Sequence, residues 1–262
     1  MKIKIPTHIA GQEVEGAIDR VLNKQTQPIS QQQNSQNQSI PSVTAQANLN
    51  LGDYVQIPNS NILISKFEPD QYKGMNWQET HEALARDGLF MPSPAIFMPY
   101  FKQVIEANKG NTQLYDGNGN LIPQNKVNDF YKHLTEDHIN EGAWSWLDAK
   151  FNGGMIEINH RIVNGNLQGQ KHDLESHVNA DCYVDLEFNS QGLPTKKSQS
   201  QKYEQGKNMY FYKPRDGFVA RFDANSDWAV LGCTWVPDYR DGSLGVFACA
   251  EGTQKNAGGS SK

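Results

Sequence analysis

Cysteine is scarce in this chain of 262 residues, and its three copies, Cys182, Cys233 and Cys249, form an odd, widely spaced set with no Cys-x-x-Cys unit. That spacing argues against a dense disulfide framework and against a thiolate zinc site, and it makes a reducing compartment the default. Positive charge is short as well: 24 Lys and Arg against 29 Asp and Glu leave a formal net charge of -5. Without a basic surplus, the electrostatic attraction that drives nonspecific nucleic-acid binding is missing, so no nucleic-acid partner is expected. No uninterrupted apolar run is long enough to span a bilayer, and the opening MKIKIPTHIAGQEVEG lacks the apolar core of a signal peptide. The expectation is no membrane span and a cytoplasmic location by default.

Metal signatures are also missing. His160, His172 and His177, with Asp173, Glu175 and Asp181, are the best ligand candidates, but His172 and His177 stand five apart and no His-Glu-x-x-His occurs. Asp116, Asn118 and Asn120 alternate as in a calcium loop. The sixth position there is Leu121 and the twelfth Val127, so the sharp turn and the bidentate carboxylate are both lacking. A hairpin turn between Tyr115 and Leu121 is expected instead, since Asn-Gly steps supply positive φ. No metal and no cofactor are expected.

What is present is aromatic: 5 Trp, 10 Tyr and 11 Phe within a 37% hydrophobic composition, enough for a packed core. In residues 1–24, Val14, Ala17, Ile18, Val21 and Leu22 recur at helical spacing. A short amphipathic helix is expected there, packing on its own domain or serving oligomerisation or tethering. Residues 25–51 are rich in Gln, Asn and Ser with almost nothing to bury, and read as a disordered linker. The folded domain is expected over 52–252, with a flexible tail over 253–262.

Inside that domain Asn76 and Glu79 form a capping box before Trp77, His81 and Leu84, with Gly88 to end the helix. Ser93-Pro94 opens a second helix toward Asn108, and Val127, Phe130, Tyr131 and Leu134 mark a third. Residues 155–163, 182–188, 209–213 and 218–222 alternate like strands, whereas 190–207 is polar and reads as a mobile surface loop. Short strands mixed with helices make the class α+β.

The stretch over residues 222–251, FDANSDWAVLGCTWVPDYRDGSLGVFACAE, interleaves interior-building residues with large polar and aromatic ones. Leu244, Val246 and Ala248 alternate with Gly245, Phe247 and Cys249, a strand with one face inward. Trp228, Val230, Gly232, Thr234, Trp235, Asp238, Tyr239, Arg240 and Asp241 are the candidate ligand-binding residues, because Trp, Tyr and Arg bring contact area at low entropic cost. The competing reading is that both tryptophans fill a core and the charges solvate a hairpin.

The Phe-Asp-Ala-x-Ser-Asp segment, the Pro-x-Tyr at 237–239 and the closing Ser-Leu-Gly-Val-x-Ala resemble the C-terminal part of the C-type-lectin-like variable proteins of diversity-generating retroelements. The Trp-Leu-Asp-Ala at 146–149 is a further point of likeness. Those proteins share their fold with formylglycine-generating enzymes. The family's usual Leu-Gly-Val-Arg reads Leu244, Gly245, Val246, Phe247 here. The resemblance implies a C-type-lectin-like domain, no catalytic residues, and a hypervariable surface for a protein or cell-surface ligand, rewritten by a reverse transcriptase encoded elsewhere. A virus-like particle is a further possible setting. The alternative on the same fold is a formylglycine-generating-type oxidase, with Cys233 and Cys249 as the only possible cysteine pair. A hydrolase using Glu157, Asp173 or Glu175 is a third reading, without a spacing that brings two carboxylates across a site.

Overall fold

A computed structural model describes residues 49–136, 142–225 and 227–252, together with a two-residue ladder near the start in which β1 (His8–Ile9) pairs antiparallel with β2 (Gln12–Glu13). The chain divides into two compact units, Met1–Ser42 and Val43–Lys262. Gln12 and Glu13, at the start of the expected N-terminal helix, are thus extended. The rest of that expectation, residues 25–48 of the expected linker and the expected tail lie outside the described residues.

The second unit is α+β. Its large sheet has seven strands in the order β7-β6-β5-β10-β11-β9-β8. They are β5 (Trp144–Asn152), β6 (Met155–Val163), β7 (Asn166–Asp173), β8 (Cys182–Asp185), β9 (Asn208–Tyr212), β10 (Val219–Asn225) and β11 (Trp228–Trp235). All neighbours are antiparallel except β11 and β9, which run parallel. A second sheet of three strands, in the order β12-β4-β3, joins β3 (Tyr54–Gln56) and β4 (Ile62–Ser65) to β12 (Cys249–Glu251).

Alternation along the strands separates two faces. Leu147, Ala149 and Phe151 of β5, Ala220, Phe222 and Ala224 of β10, and Ala229, Leu231 and Cys233 of β11 point to an inner core. That core is closed by α2 (Pro94–Asn108) and α3 (Gln124–Thr135), whose Phe97, Phe101 and Phe130 are fully buried in it. Phe222 is the hinge of the packing, with ring centroids 4.8 Å from Phe97 and 5.2 Å from Phe101. Truncating such a side chain to Ala costs about 3–5 kcal/mol. The alternate residues of the same strands make the outer face, where Trp146 and Val219 are fully buried in a second core with Trp77 and Leu84 of α1 (Trp77–Arg86), the helix that packs over the β6–β7 end.

Helix α1 starts where its sequence says it should. The Asn76 side chain accepts the Glu79 amide at 2.9 Å and the Glu79 carboxylate accepts the Asn76 amide at 3.2 Å. This satisfies two orphan donors of the first turn. Gly88, at φ 71, follows its end. Helix α2 begins at Pro94 as expected, although the Ser93 side chain makes no capping bond.

Two expectations are corrected. Residues 190–207 do not form a free surface excursion: Gln191, Leu193 and neighbouring Gly192 and Pro194 are buried, and the Val178 amide donates to the Pro194 carbonyl at 2.8 Å. Gly192 is required there, since it holds φ +78 and a Cβ would lie 2.2 Å from the Pro94 carbonyl. The run 244–248 is not a strand with one inward face. Leu244, Val246 and Ala248 enter one core and Phe247 with Cys249 the other, so both faces are buried. Its Gly245 bridges β5 instead, exchanging bonds with Trp144 and Trp146 at 2.9 and 3.0 Å.

Candidate functional site

The outer face of the large sheet carries aromatic side chains on its β5, β11, β9 and β8 strands. Tyr183, Tyr210, Tyr212 and Trp228 are half-buried neighbours there, with Tyr210 5.0 Å from Tyr183, 4.9 Å from Tyr212 and 6.0 Å from Trp228 between ring centroids. The residues opposite them on the strands point into the helix-covered core, so the outward direction of these rings follows from the pleat.

Beside this group lies a second one built on Arg221. Its guanidinium carbon is 3.1 Å from the Trp235 ring centroid, 4.7 Å from Trp144 and 5.8 Å from Tyr239. The same guanidinium pairs with Asp223, two residues along β10, at 2.7 Å from Nε and 3.0 Å from Nη2. Arg221 is only 4% exposed. Burial pushes the Asp223 carboxyl up to about 6, against the opposing pull of Arg221, and burial likewise draws the guanidinium below its usual range. Trp235 folds back over β11 at Gly232, where a Cβ would lie 2.9 Å from its Nε1. Glycine at 232 is what admits the tryptophan.

The candidate residues therefore divide. Trp228, Thr234, Trp235, Tyr239 and Asp241 are half-buried, whereas Asp238 and Arg240 are exposed. Arg240 has 54% of its side chain in solvent and pairs with Glu79 of α1. Asp241 accepts from the Ser243 amide and hydroxyl at 3.0 and 2.6 Å, which holds the turn and lowers its pKa. Val230, 3% exposed, and Gly232 are buried. They are corrected from surface positions to the floor beneath the aromatic rings, because flanking side chains and the folded-back Trp235 cover them.

Arg221, Asp223, Trp144, Tyr183, Tyr210 and Tyr212 belong to this face and were not among the sequence candidates. The alternation Met209-Tyr-Phe-Tyr was the available signal, since it already separates two tyrosines from two core residues. Phe247, which stands where the resembling family has Arg, is fully buried 5.3 Å from Phe97 and 6.1 Å from His133 between ring centroids.

The polar cluster at the other end of the outer face joins His81 of α1, Asp148 of β5 and His160 of β6. Asp148 Oδ1 is 2.5 Å from His160 Nδ1 and 3.6 Å from His81 Nε2, and Asp148 Oδ2 accepts the His160 amide at 2.9 Å. Burial holds the His81 imidazole down at about 4, hence neutral at pH 7. Trp77 covers both rings edge-on, at 4.5 and 4.9 Å, and its Nε1 donates to the Leu147 carbonyl at 3.0 Å. Of the histidines singled out in the sequence, only His160 is brought into this cluster. His172, on β7, is exposed, and His177 Nδ1 contacts the Glu175 carbonyl at 2.8 Å. In the Asp116 turn the carboxylate is taken up by its own chain, accepting the Asn118 and Asn120 amides at 2.9 and 2.8 Å.

Cys233 and Cys249 are both fully buried free thiols whose pKa values are raised by burial. That is the environment of an inert thiol, not of an activated one. Among the described residues no helix is long and apolar enough to cross a membrane. Comparison with known protein families, with curated proteins and with solved structures found no match.

Proposed function

We propose that this chain is a ligand-binding protein whose recognition surface is the aromatic outer face of the large sheet together with the turn over residues 236–243. The observation that carries the reading is the half-burial of Trp228, Tyr210, Tyr212 and Tyr183 as one contiguous group on a face whose reverse side is fully packed. Rings fixed on a rigid sheet supply large contact area without losing rotamer freedom on binding, which is what residues that dominate binding energy have in common. Asp238 and Arg240 add exposed charge at the rim, where it sets specificity and association rate more than affinity.

The partner class is a protein or cell-surface ligand. The finer reading is a receptor-like domain on a C-type-lectin-like scaffold, diversified through a retroelement over residues 222–251. Support comes from the sequence resemblance and from the division of that stretch into two buried runs, 229–233 and 244–250, with half-buried and exposed positions over 234–243 between them. Diversification demands a frame that tolerates change at exposed positions, and such substitutions cost little stability when the backbone is held by sheet and core. Sequencing the gene and its surroundings tests this reading. A reverse-transcriptase gene beside a near-copy of the 222–251 coding segment, differing from it at adenines, is the expected result. Absence of both from the intact locus would overturn the diversification reading.

A further inference from the structure

We propose that His81, Asp148 and His160 bind one borderline divalent transition-metal ion, zinc in the first place, which fastens α1 to the large sheet. The three residues come from three separate elements, and their donor atoms all lie within 4.8 Å of one another in a buried cluster. Two imidazole nitrogens and one carboxylate oxygen suit zinc, whereas calcium and magnesium prefer all-oxygen shells.

The decisive observation is His81 Nε2. It is buried, has no hydrogen-bond partner, and faces Asp148 Oδ1 across 3.6 Å. A buried imidazole nitrogen left unsatisfied is disfavoured, and buried polar atoms without partners call for a specific reason. Donors bound to a tetrahedral zinc at ~2.0–2.1 Å stand roughly 3.3 Å apart, so the His81–Asp148 separation already accommodates the ion. The 2.5 Å His160–Asp148 contact is a hydrogen bond whose proton occupies the place the ion would take. On binding, that proton leaves to solvent and the two donors separate.

The surroundings are those of a ligand that has been aimed. Ile158 pairs with Gln170 and Arg161 with Gln168, so Asn159 and His160 together oppose Gly169 in a β-bulge, with Asn159 at φ 55. The extra residue turns His160 from the core face to the Asp148 face; such bulges re-aim side chains. A Cβ on Gly169 would lie 2.5 Å from His160 Nε2, so the glycine makes room for the ring. With Nδ1 on the metal, the remaining nitrogen, His160 Nε2, has the Glu157 carboxylate as its nearest anionic group, at 3.9 Å and so beyond a direct hydrogen bond.

The test uses the full chain, stripped with a chelator and titrated with zinc by calorimetry and with cobalt(II) by visible absorption. Expected are one saturable ion per chain, the ligand-field bands of tetrahedral cobalt, and a thermal midpoint raised by zinc but not by calcium or magnesium. His81→Leu should weaken zinc binding by about 100-fold or more while leaving the metal-free midpoint unchanged or higher, since the unpaired nitrogen is gone. Should that variant fail to fold, Asp148→Asn, which retains the shape but not the anionic donor, is expected to show the same loss. Wild-type protein with no saturable uptake, or variants that bind zinc as tightly as wild type, would overturn the proposal.

Discussion

Arg221→Met removes the guanidinium that organises the outer face, and its cost can be worked from the contacts. Arg221 is 4% exposed, and its side chain meets Asp223 at 2.7 and 3.0 Å while stacking 3.1 Å from the Trp235 centroid. Breaking a buried ion pair by deleting one partner costs about 3–5 kcal/mol, because the remaining charge is left in a desolvated place. Methionine retains most of the packing volume, so the loss is chiefly electrostatic. For a domain of this size, that corresponds to a thermal midpoint lower by roughly 10 °C. The double variant Arg221→Met/Asp223→Leu should recover most of the loss, since no unpaired charge then remains. Denaturant unfolding of wild type, both single variants and the double variant closes a thermodynamic cycle. A single-variant cost under about 1 kcal/mol would mean that the pair behaves as a solvent-exposed one, and the reasoning about this face would fail.

The same pair makes a pH prediction. Asp223 has its pKa raised in the folded state, from 3.8 to about 6, so its contribution to stability is fully present below pH 3.8 and is lost as pH rises through 6. Urea unfolding should therefore show wild type losing up to about 3 kcal/mol relative to Asp223→Asn between pH 4 and pH 7; a difference that grows over that range would contradict the account. Asp238→Ala and Arg240→Ala, both at exposed positions, should change stability by no more than about 0.5–1 kcal/mol in calorimetry, as exposed charges do. Gly192→Ala places a side chain at φ +78 and 2.2 Å from the Pro94 carbonyl. It should destabilise by about 2–4 kcal/mol and loosen the 190–194 segment in hydrogen exchange.

Much of the helical content was legible because its signals are local. Asn76 with Glu79, and Pro94 with Gly110, mark helix ends within a few residues of where they occur. β7 was missed because NLQGQKHD contains one large apolar residue and the strand is mostly exposed, so no inward face is written into it. The loop over 190–207 misled for the opposite reason: its polar composition hides Leu193 and Pro194, whose burial depends on where α2 begins. Sites built from distant segments were the least legible. Trp235 and Tyr239 could be singled out as aromatic, but their partner Arg221 lies inside Val-Ala-Arg-Phe, which reads as a strand and nothing more. His81 looks like an ordinary core position of α1, and only the bulge in β6, invisible as a pattern, turns His160 toward Asp148.

The central claim is that recognition resides on an accessible face held by a packed frame, and a saturation substitution scan over residues 222–251 addresses it most directly. Every variant would be displayed on cells and scored for folding with a conformation-sensitive probe. The account predicts tolerance at Trp228, Thr234, Asp238 and Arg240 and intolerance at Phe222, Leu231, Val246 and Phe247. Intolerance at the first group equal to that of the second would place those side chains within the core and contradict it.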